Sequence, residues 1–369
     1  ANGVPGIHHV MARSIKDIFC RYKTQKGFQV KRKAGWDTHG LPVELGVEKE
    51  LGITKEDIGK KISVEDYNKA CKEAVMRYTD IWNDLTEKIG YWVDMEDPYI
   101  TYKPKYMESV WWLLKQLYNK QLLYKGYTIQ PYSPKAGTGL SSHELNQPGC
   151  YRDVSDTTVV AQFKVKALAA AASKALGNLI ALIYIFAWTT TPWTLPSNTA
   201  LAVGKEIEYV LVKTFNQYTF EPITIIIGKP LLTKQFGKKF VEGDVAALAA
   251  YTPESKTISY QIIGECKGAD LVGTAYEQLI PWCTPAENPT EAFRVIAGDF
   301  VTTDDRTGIV HIAFTFGADD ARVAKEYGIP PMLVKDTHGN LIPLVDLQGK
   351  FITGHNIPEA FAGKYIKNE

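Results

Sequence analysis

An α/β first part followed by a mainly β second part is the fold class this sequence predicts, and three observations predict it. Before about residue 150, apolar residues recur at helical spacing on both sides of a Gly-rich turn. After Arg152 the texture changes to short β-rich runs separated by turn residues. The length of 369 residues suits two or three domains at roughly 100–200 residues each. The boundary is expected between residues 152 and 153: an α/β domain with a helical connective segment over 1–152, and a mainly β domain over 153–369.

In the first part, Met11, Ile15, Ile18, Phe19 and Tyr22 place a helix over 10–22, with Gly27 as its stop. The run Phe28-Gln29-Val30 then reads as a strand leading into the Gly-rich turn at 35–40. Loop, helix and strand in this order suggest a βαβ nucleotide-binding unit. A continuous apolar stripe from Val64 to Ile89 predicts one long helix. Ser63 is its N-cap, Asp66 completes a capping box, and Gly90 is its C′ residue. A further helix is expected over 104–120 with Val110, Leu113, Leu114 and Leu117 inward. In the second part, strands are expected over 157–165, 209–214, 223–227, 257–263 and 308–313. Two Ala-rich stretches, 167–175 and 245–250, are low in complexity and receive no element.

Composition excludes several functions. Hydrophobic residues at 45% and charged residues at 22% describe an ordinary globular chain, not a disordered or fibrous one. Lys plus Arg number 42 and Asp plus Glu 41, so bulk charge cannot recruit nucleic acid or membrane. Any such binding needs a local patch. Lys23, Lys26, Lys31, Arg32 and Lys33 form one, although most charge runs are solvated faces. No apolar run approaches the ~18 residues that span a bilayer. The nearest, 175–188, is interrupted by Gly177 and Asn178, so no membrane partner is expected. Five cysteines without a CxxC pair fit reduced thiols and a cytoplasmic location.

Three constellations can carry chemistry. Pro5-Gly6-Ile7-His8-His9 opens the first helix, where unpaired N–H groups and a partial positive charge suit phosphate oxygens. Imidazoles there could donate to a phosphate as its charge grows; the plain alternative is a solvated turn. Gly35-Trp36-Asp37-Thr38-His39-Gly40-Leu41-Pro42-Val43-Glu44 offers a buried carboxylate for a ligand ammonium and a Trp wall against solvent. The plain alternative is a rigid turn with an N-cap Asp. In the β-rich part, the triplet Thr189-Thr190-Thr191 precedes Pro192, with Trp193 and Asn198 following. Adjacent hydroxyls can line a polar pocket, or simply reflect β-propensity. Thr307-Gly308-Ile309-Val310-His311 and Gly317-Ala318-Asp319-Asp320 stand as a second wall. Ser-His-Asp, HExxH and GxxxxGK[ST] sets are missing, which argues against protease-like and P-loop chemistry.

The stretch from Pro5 to Glu44, with Ile15-Lys16-Asp17-Ile18, Arg21-Tyr22-Lys23, Tyr91-Trp92-Val93-Asp94 and Ser141-Ser142-His143-Glu144-Leu145, resembles the class I aminoacyl-tRNA synthetases. The run GWDTHGLPVE is similar to the isoleucine-specific branch. The resemblance implies the first half of a Rossmann-type catalytic domain with an inserted, mainly β editing domain, called connective polypeptide 1. It implies isoleucine, ATP (with Mg²⁺) and tRNA-Ile as substrates, and a monomer. Gly6-Ile7-His8-His9 occupies the family's HIGH signature in rearranged form, so His9 would meet ATP phosphate and His8 could stand in for the missing first His. Pro5, Gly35, Trp36, Asp37 and His39 would form the amino-acid pocket, with Asp37 on the α-ammonium. Thr189, Thr190, Thr191, Trp193 and Asn198 would line the editing pocket, His311 would screen the side chain, and Asp320 would anchor the ammonium.

Departures from the family carry expectations too. Phe314 and Arg306 replace the usual Pro and Gly beside the editing pocket, and Ser133-Pro134-Lys135-Ala136 lacks the CxxC of zinc-holding relatives, so no zinc is expected. A KMSKS segment is missing, so the chain reads as a fragment unable to complete adenylation. A free-standing aminoacyl-tRNA deacylase and a non-catalytic tRNA-binding paralogue are the rival readings. The resemblance also explains why two pockets are needed. One methylene gives only ~1–3 kcal/mol of discrimination, a figure established for this class of enzyme.

Overall fold

The structure, a computed structural model, describes residues 3–126, 128–177, 182–304 and 307–367. The chain forms two compact units, Ala1–Tyr127 and Thr128–Glu369; the segment after residue 127, expected with the first domain, is part of the second unit.

The first unit runs α1 (Ile7–Gln25), β1 (Lys33–Trp36), α2 (Leu41–Leu51), α3 (Val64–Met76), α4 (Thr79–Lys88), β2 (Asp94–Ile100) and α5 (Pro104–Asn119). β1 and β2 pair in parallel with three helices between them, the crossover that a parallel pair requires. The strand is not Phe28–Val30, as expected, but the more polar Lys33–Trp36, because its partner decides it. Gly35 sits opposite Tyr99, and a Cβ at Gly35 would lie 2.0 Å from the Tyr99 ring. Glycine there lets the Tyr99 ring lie across the strand, and any larger residue would have to push that ring aside.

The expected single helix over 64–89 is two helices, broken at Arg77 and Tyr78. The Thr79 hydroxyl bonds the Met76 carbonyl at 2.5 Å across the break. Ser63 is the N-cap as read, its Oγ accepting the Asp66 N–H at 3.0 Å. The capping box is not closed, because the Asp66 carboxylate takes the Ser63 hydroxyl at 2.6 Å and not its N–H. At the other end Gly90 adopts φ +63°. On α5 the expected inward residues Val110, Leu113, Leu114 and Leu117 are 37–57% exposed, and no α5 residue is buried. The stripe is there, but the first unit does not cover it. What ties α1 to the strand entry is polar. Asp17, 8% exposed, accepts from Arg21 Nε at 2.5 Å, Arg32 Nη1 at 3.3 Å and the Trp92 N–H at 3.1 Å. Burial pushes its pKa up, but the Arg21 and Trp92 hydrogen bonds outweigh that and hold it below the usual carboxylate value.

The second unit begins with a hairpin, β3 (Tyr132–Ser133) and β4 (Thr138–Gly139), and the short helix α6 (Ser142–Leu145). It continues with β5 (Val159–Ala167), α7 (Ala170–Leu176), β6 (Ile183–Thr189), β7 (Ala200–Val203), β8 (Glu208–Phe215), β9 (Pro222–Gly228) and α8 (Leu232–Phe236). Then follow β10 (Phe240–Glu242), α9 (Val245–Ala249), β11 (Ile258–Lys267), α10 (Gly268–Leu271), β12 (Ala275–Tyr276), β13 (Arg294–Ala297) and β14 (Ile309–Ile312). α11 (Ala318–Glu326) and the hairpin β15 (Leu333–Lys335) and β16 (Leu341–Pro343) complete it. All five expected strands are present, and both Ala-rich stretches are helical, with Ala172 and Leu176 of α7 in the core.

Ten strands form one mixed sheet in the order β10-β11-β8-β9-β6-β5-β12-β13-β7-β14. Its inner strands β7, β8 and β9 are buried on both faces over most of their length, which is why they read as apolar runs. Ile183, Ile185, Leu201, Val203, Leu211, Ile226 and Ile309 point into one shared core, so the sheet curls around it. The alternate residues Val210, Val212, Ile225 and Ile227 pack under α8, while Ala200, Ala202 and Ile312 pack under α11. Tyr209 is fully buried in this curl. Its hydroxyl donates to the Gly308 carbonyl at 2.6 Å and accepts from the Gly204 N–H at 3.1 Å.

Removing that hydroxyl strands a donor and an acceptor in the core. Tyr209→Phe is expected to destabilise the protein by about 2–3 kcal/mol in urea unfolding. A change within about 0.5 kcal/mol would mean that the two backbone groups find other partners.

Candidate functional site

The period-2 alternation of the strands places the chemistry. β6 directs Ile183, Ile185 and Ala187 into the shared core, so Thr189, its last residue, lies on that same face. β14 pairs antiparallel with β7, setting His311 opposite Leu201 and on the face of Ile309. After Thr189 the chain does not continue as a strand of threonines. It turns, and residues 192–197 form a 3₁₀ helix. A 3₁₀ turn eclipses positions three apart, and this brings Thr194 beneath Thr191.

The hydroxyls then form a chain. Thr189 Oγ1 and Thr191 Oγ1 are 3.1 Å apart, Thr191 Oγ1 and Thr194 Oγ1 3.2 Å, and Thr194 Oγ1 lies 2.9 Å from His311 Nε2. His311 is 6% exposed, and its Nδ1 has no hydrogen-bond partner among the described residues. Burial pushes its pKa down to about 4, so the ring is neutral at pH 7.

α11 brings in the acid. Asp320 lies in its first turn and accepts the Ala313 N–H at 2.9 Å. Among the described residues no cation pairs with it, and burial raises its pKa above the usual carboxylate value. The helix N-cap is Gly317, where a Cβ would stand 2.7 Å from Asp320 Cγ. Glycine at this position leaves room for the carboxylate to fold back over the helix start.

These groups meet in one cleft of about 330 Å³, lined by Trp188, Thr189, Thr190, Thr191, Trp193, Thr194, Val310, His311, Ala313, Phe316, Gly317 and Asp320. Every residue expected in this pocket is here except Asn198. That residue is buried away from the cleft, with its amide spent on the Ala200 carbonyl at 2.8 Å and the Tyr276 hydroxyl at 2.7 Å. It braces the turn into β7. Phe314 does not flank the cleft either, being packed beneath α11 with Val323 and Ile329. Arg306 lies outside the described residues. Sequence reasoning missed Phe316 and gave no role to Thr194 or Gly317, although both lie in the motifs it singled out; the Thr191–Thr194 spacing across Pro192 was the available signal.

The first unit holds its expected residues less closely. Gly6 caps α1, and its N–H donates to His9 Nδ1 at 2.9 Å. The His9 ring packs edge-on against Trp82 at 4.7 Å, while Ile7 and His8 are exposed. Partial burial, then the nearby His8 and Arg13, hold the His9 pKa below its usual value. Pro5 is half-buried just before the cap. Asp37 follows β1 as expected, but it is exposed and not buried. Its neighbour Thr38 is the buried group, 2.8 Å from the Thr101 hydroxyl, which is also 3.1 Å from His39 Nδ1. Gly35 and Trp36 line a small cavity of about 210 Å³ with Arg13, Lys16 and Lys33, and His8, His9 and Asp37 are not among its lining. Among the described residues no cluster of His, Cys, Asp and Glu could hold a metal ion.

A parallel-strand unit opened by a histidine-bearing helix, followed by a curled sheet with a threonine, histidine and aspartate cleft, leads to one family. Residues 1–208 match the class I tRNA synthetases (I, L, M and V), and the chain belongs to that family. Its relatives sharpen this. It is 62% identical to the isoleucine–tRNA ligase of Bacteroides fragilis over the whole of this chain and 32% of that protein. The isoleucine–tRNA ligases of Porphyromonas gingivalis, at 61%, and Cytophaga hutchinsonii, at 63%, also match the whole chain, which covers 33% and 32% of them. The chain thus spans about a third of the length of these relatives. A solved leucyl-tRNA synthetase editing domain from P. knowlesi is a slight likeness, at 14% identity and TM-score 0.31 over 46% of this chain and 62% of that one.

His311 gives a pH prediction. Unfolded histidine takes up a proton below about 6.5, but the folded ring refuses it until about pH 4. Stability from this group is present above pH 6.5 and lost as pH falls toward 4, at up to about 1.4 kcal/mol per unit. Urea unfolding at pH 6.5 and 4.5 is expected to show a smaller acid loss in His311→Gln than in the parent. Equal losses would mean that His311 titrates normally.

Proposed function

We propose that this chain carries the hydrolytic proofreading pocket of an isoleucine–tRNA ligase, together with the opening segment of its aminoacylation site. The observation that supports this most is the single cleft shared by the threonine chain, neutral His311 and uncompensated Asp320. The reaction of the whole enzyme joins isoleucine and ATP, with Mg²⁺, into isoleucyl-adenylate with loss of pyrophosphate, and then transfers the amino acid to a hydroxyl of tRNA-Ile with release of AMP. The cleft serves its correction, hydrolysis of valine wrongly esterified to that tRNA.

Each cleft residue has a physical role in that correction. A carboxylate that is desolvated and lacks a cation favours a ligand ammonium, and Asp320 offers this to the α-ammonium of the ester. Thr189, Thr190 and Thr191 supply hydroxyls that can hold a water against the ester carbonyl. The water oxygen attacks the carbonyl carbon, the bond to the ribose oxygen breaks, and that oxygen leaves as the alcohol after gaining a proton. His311, fixed through Nε2 by Thr194, presents a rigid neutral edge to the side chain. Trp193 closes the cleft against solvent. A pocket that fits valine against such an edge has no room for the extra methylene of isoleucine.

In the first unit the start of α1 suits phosphate oxygens of ATP. Of Gly6, Ile7, His8 and His9, the Gly6 N–H is spent on His9 Nδ1 and the His9 N–H on the Gly6 carbonyl. Ile7 and His8 therefore offer the first-turn N–H groups, and Nε2 of His9 is the ring nitrogen left to meet phosphate. Asp37 at the end of β1, with Pro5, Gly35, Trp36 and His39, is the proposed amino-acid side. No zinc enters this reading, and no described helix is long and apolar enough to cross a membrane. A monomer acting in the cytoplasm goes with it.

The test is deacylation of Val-tRNA-Ile by the 369-residue chain. Asp320→Ala is expected to lower the rate about 10–100-fold, the worth of a charged hydrogen bond. Gly317→Ala should lower it too, because the new methyl displaces the carboxylate. Hydrolysis unchanged by Asp320→Ala would remove the anchor from the site.

A further inference from the structure

A second cavity, larger than the hydrolytic cleft at about 460 Å³, opens on the opposite face of β6. Strand alternation explains its position: Thr189 faces the core, while Phe186 and Trp188 face outward beside Val160 and Gln162 of β5. α8 covers the β8 and β9 part of this face but stops short of the β5–β6 end. The β8–β9 turn, with Asn216, Gln217 and Tyr218, forms the rim.

Three features define what fits there. The walls are aromatic and held open by partners of their own, since Phe215 stacks on Tyr251 at 4.1 Å and Phe236 on Phe240 at 4.2 Å. None of the lining residues is charged. Gln162, Gln217 and Gln235 line the space, and their side chains make no hydrogen bond among the described residues. Flat apolar walls, no charge and several unpaired amides suit a neutral planar heterocycle with donors and acceptors on its edge. They do not suit a phosphate, an acidic peptide or an acyl chain.

We propose that this outer cavity binds a nucleobase, between the aromatic walls and against the carboxamides. Trp188 lines both this cavity and the hydrolytic cleft. A base held here therefore belongs to a nucleotide preceding the one that carries the ester, and the strand end is gripped on both sides of β6. That assignment of the base to an RNA terminus rests on the proofreading reading above; the chemistry of the cavity does not.

The experiment uses the whole 369-residue chain with three probes: adenosine, cytidine and a short single-stranded RNA ending in CCA. Binding is followed by saturation-transfer spectroscopy and by photolabelling with 8-azidoadenosine. Binding of any probe is expected, with label in residues 215–218 or at Phe240, and Gln162→Leu/Gln235→Leu should weaken it tenfold or more. Tyr218→Ala, at a side chain 80% exposed and so harmless to folding, should weaken it as well. The valine ester of a small alcohol, which has no base, should be hydrolysed equally by the parent and the double variant. RNA binding tighter than either nucleoside identifies the strand end as the occupant, and equal binding identifies a free nucleoside; both uphold a base site. No binding, or binding indifferent to all these substitutions, overturns the proposal. Base binding is read without chemistry, so a failed Val-tRNA assay would sink the proofreading reading and leave this test intact.

Discussion

Strands buried on both faces leave polar side chains nowhere to go except the strand ends, and the candidate site follows from that constraint. The curl of the second unit brings β6 and β14 to the same core with the same parity, so Thr189 and His311 emerge on one face at one rim. Burial that would be costly elsewhere is useful here. The ring of His311 stays neutral, and the carboxylate of Asp320 is held by backbone N–H groups, that of Ala313 among them, without a neutralising cation among the described residues. A polar network that is only partly satisfied is unfavourable in a resting core. It becomes favourable when a ligand supplies the missing cation.

The two units use opposite strategies. The second has large clusters of fully buried aliphatic residues. The first has few buried side chains and fastens α1 through the charged group of Asp17, Arg21 and Arg32, with both guanidinium groups over the Trp92 ring at 4.1 and 5.1 Å. It also leaves the apolar stripes of α1 and α5 exposed.

Much of the fold was legible because strand identity follows composition when both faces are buried. Runs such as Ile223 to Ile227 can be little else. Periodicity found the helices but not their breaks or their surroundings. Nothing at Arg77 or Tyr78 forbids helix, and the apolar stripe of α5 tells which side is greasy without telling what covers it. β1 was misplaced because its sequence is polar and its pairing is set by Gly35 against Tyr99, a contact between residues 64 apart in the chain. In the cleft, residue types named the threonines, His311 and Asp320. They could not show that a 3₁₀ turn would carry Thr194 in and Asn198 out, because that depends on how the chain bends after Thr189. Asp37 shows the same limit: a carboxylate beside a strand end was legible, and its exposure was not.

The central claim is that Asp320 is kept desolvated and unpaired for a cationic ligand. NMR titration of its carboxyl carbon, with and without a non-hydrolysable valine amide of adenosine, tests this directly. The account predicts a pKa above the ordinary aspartate value in the free protein, falling below it when the ligand ammonium binds. An ordinary pKa that does not move on binding would contradict it.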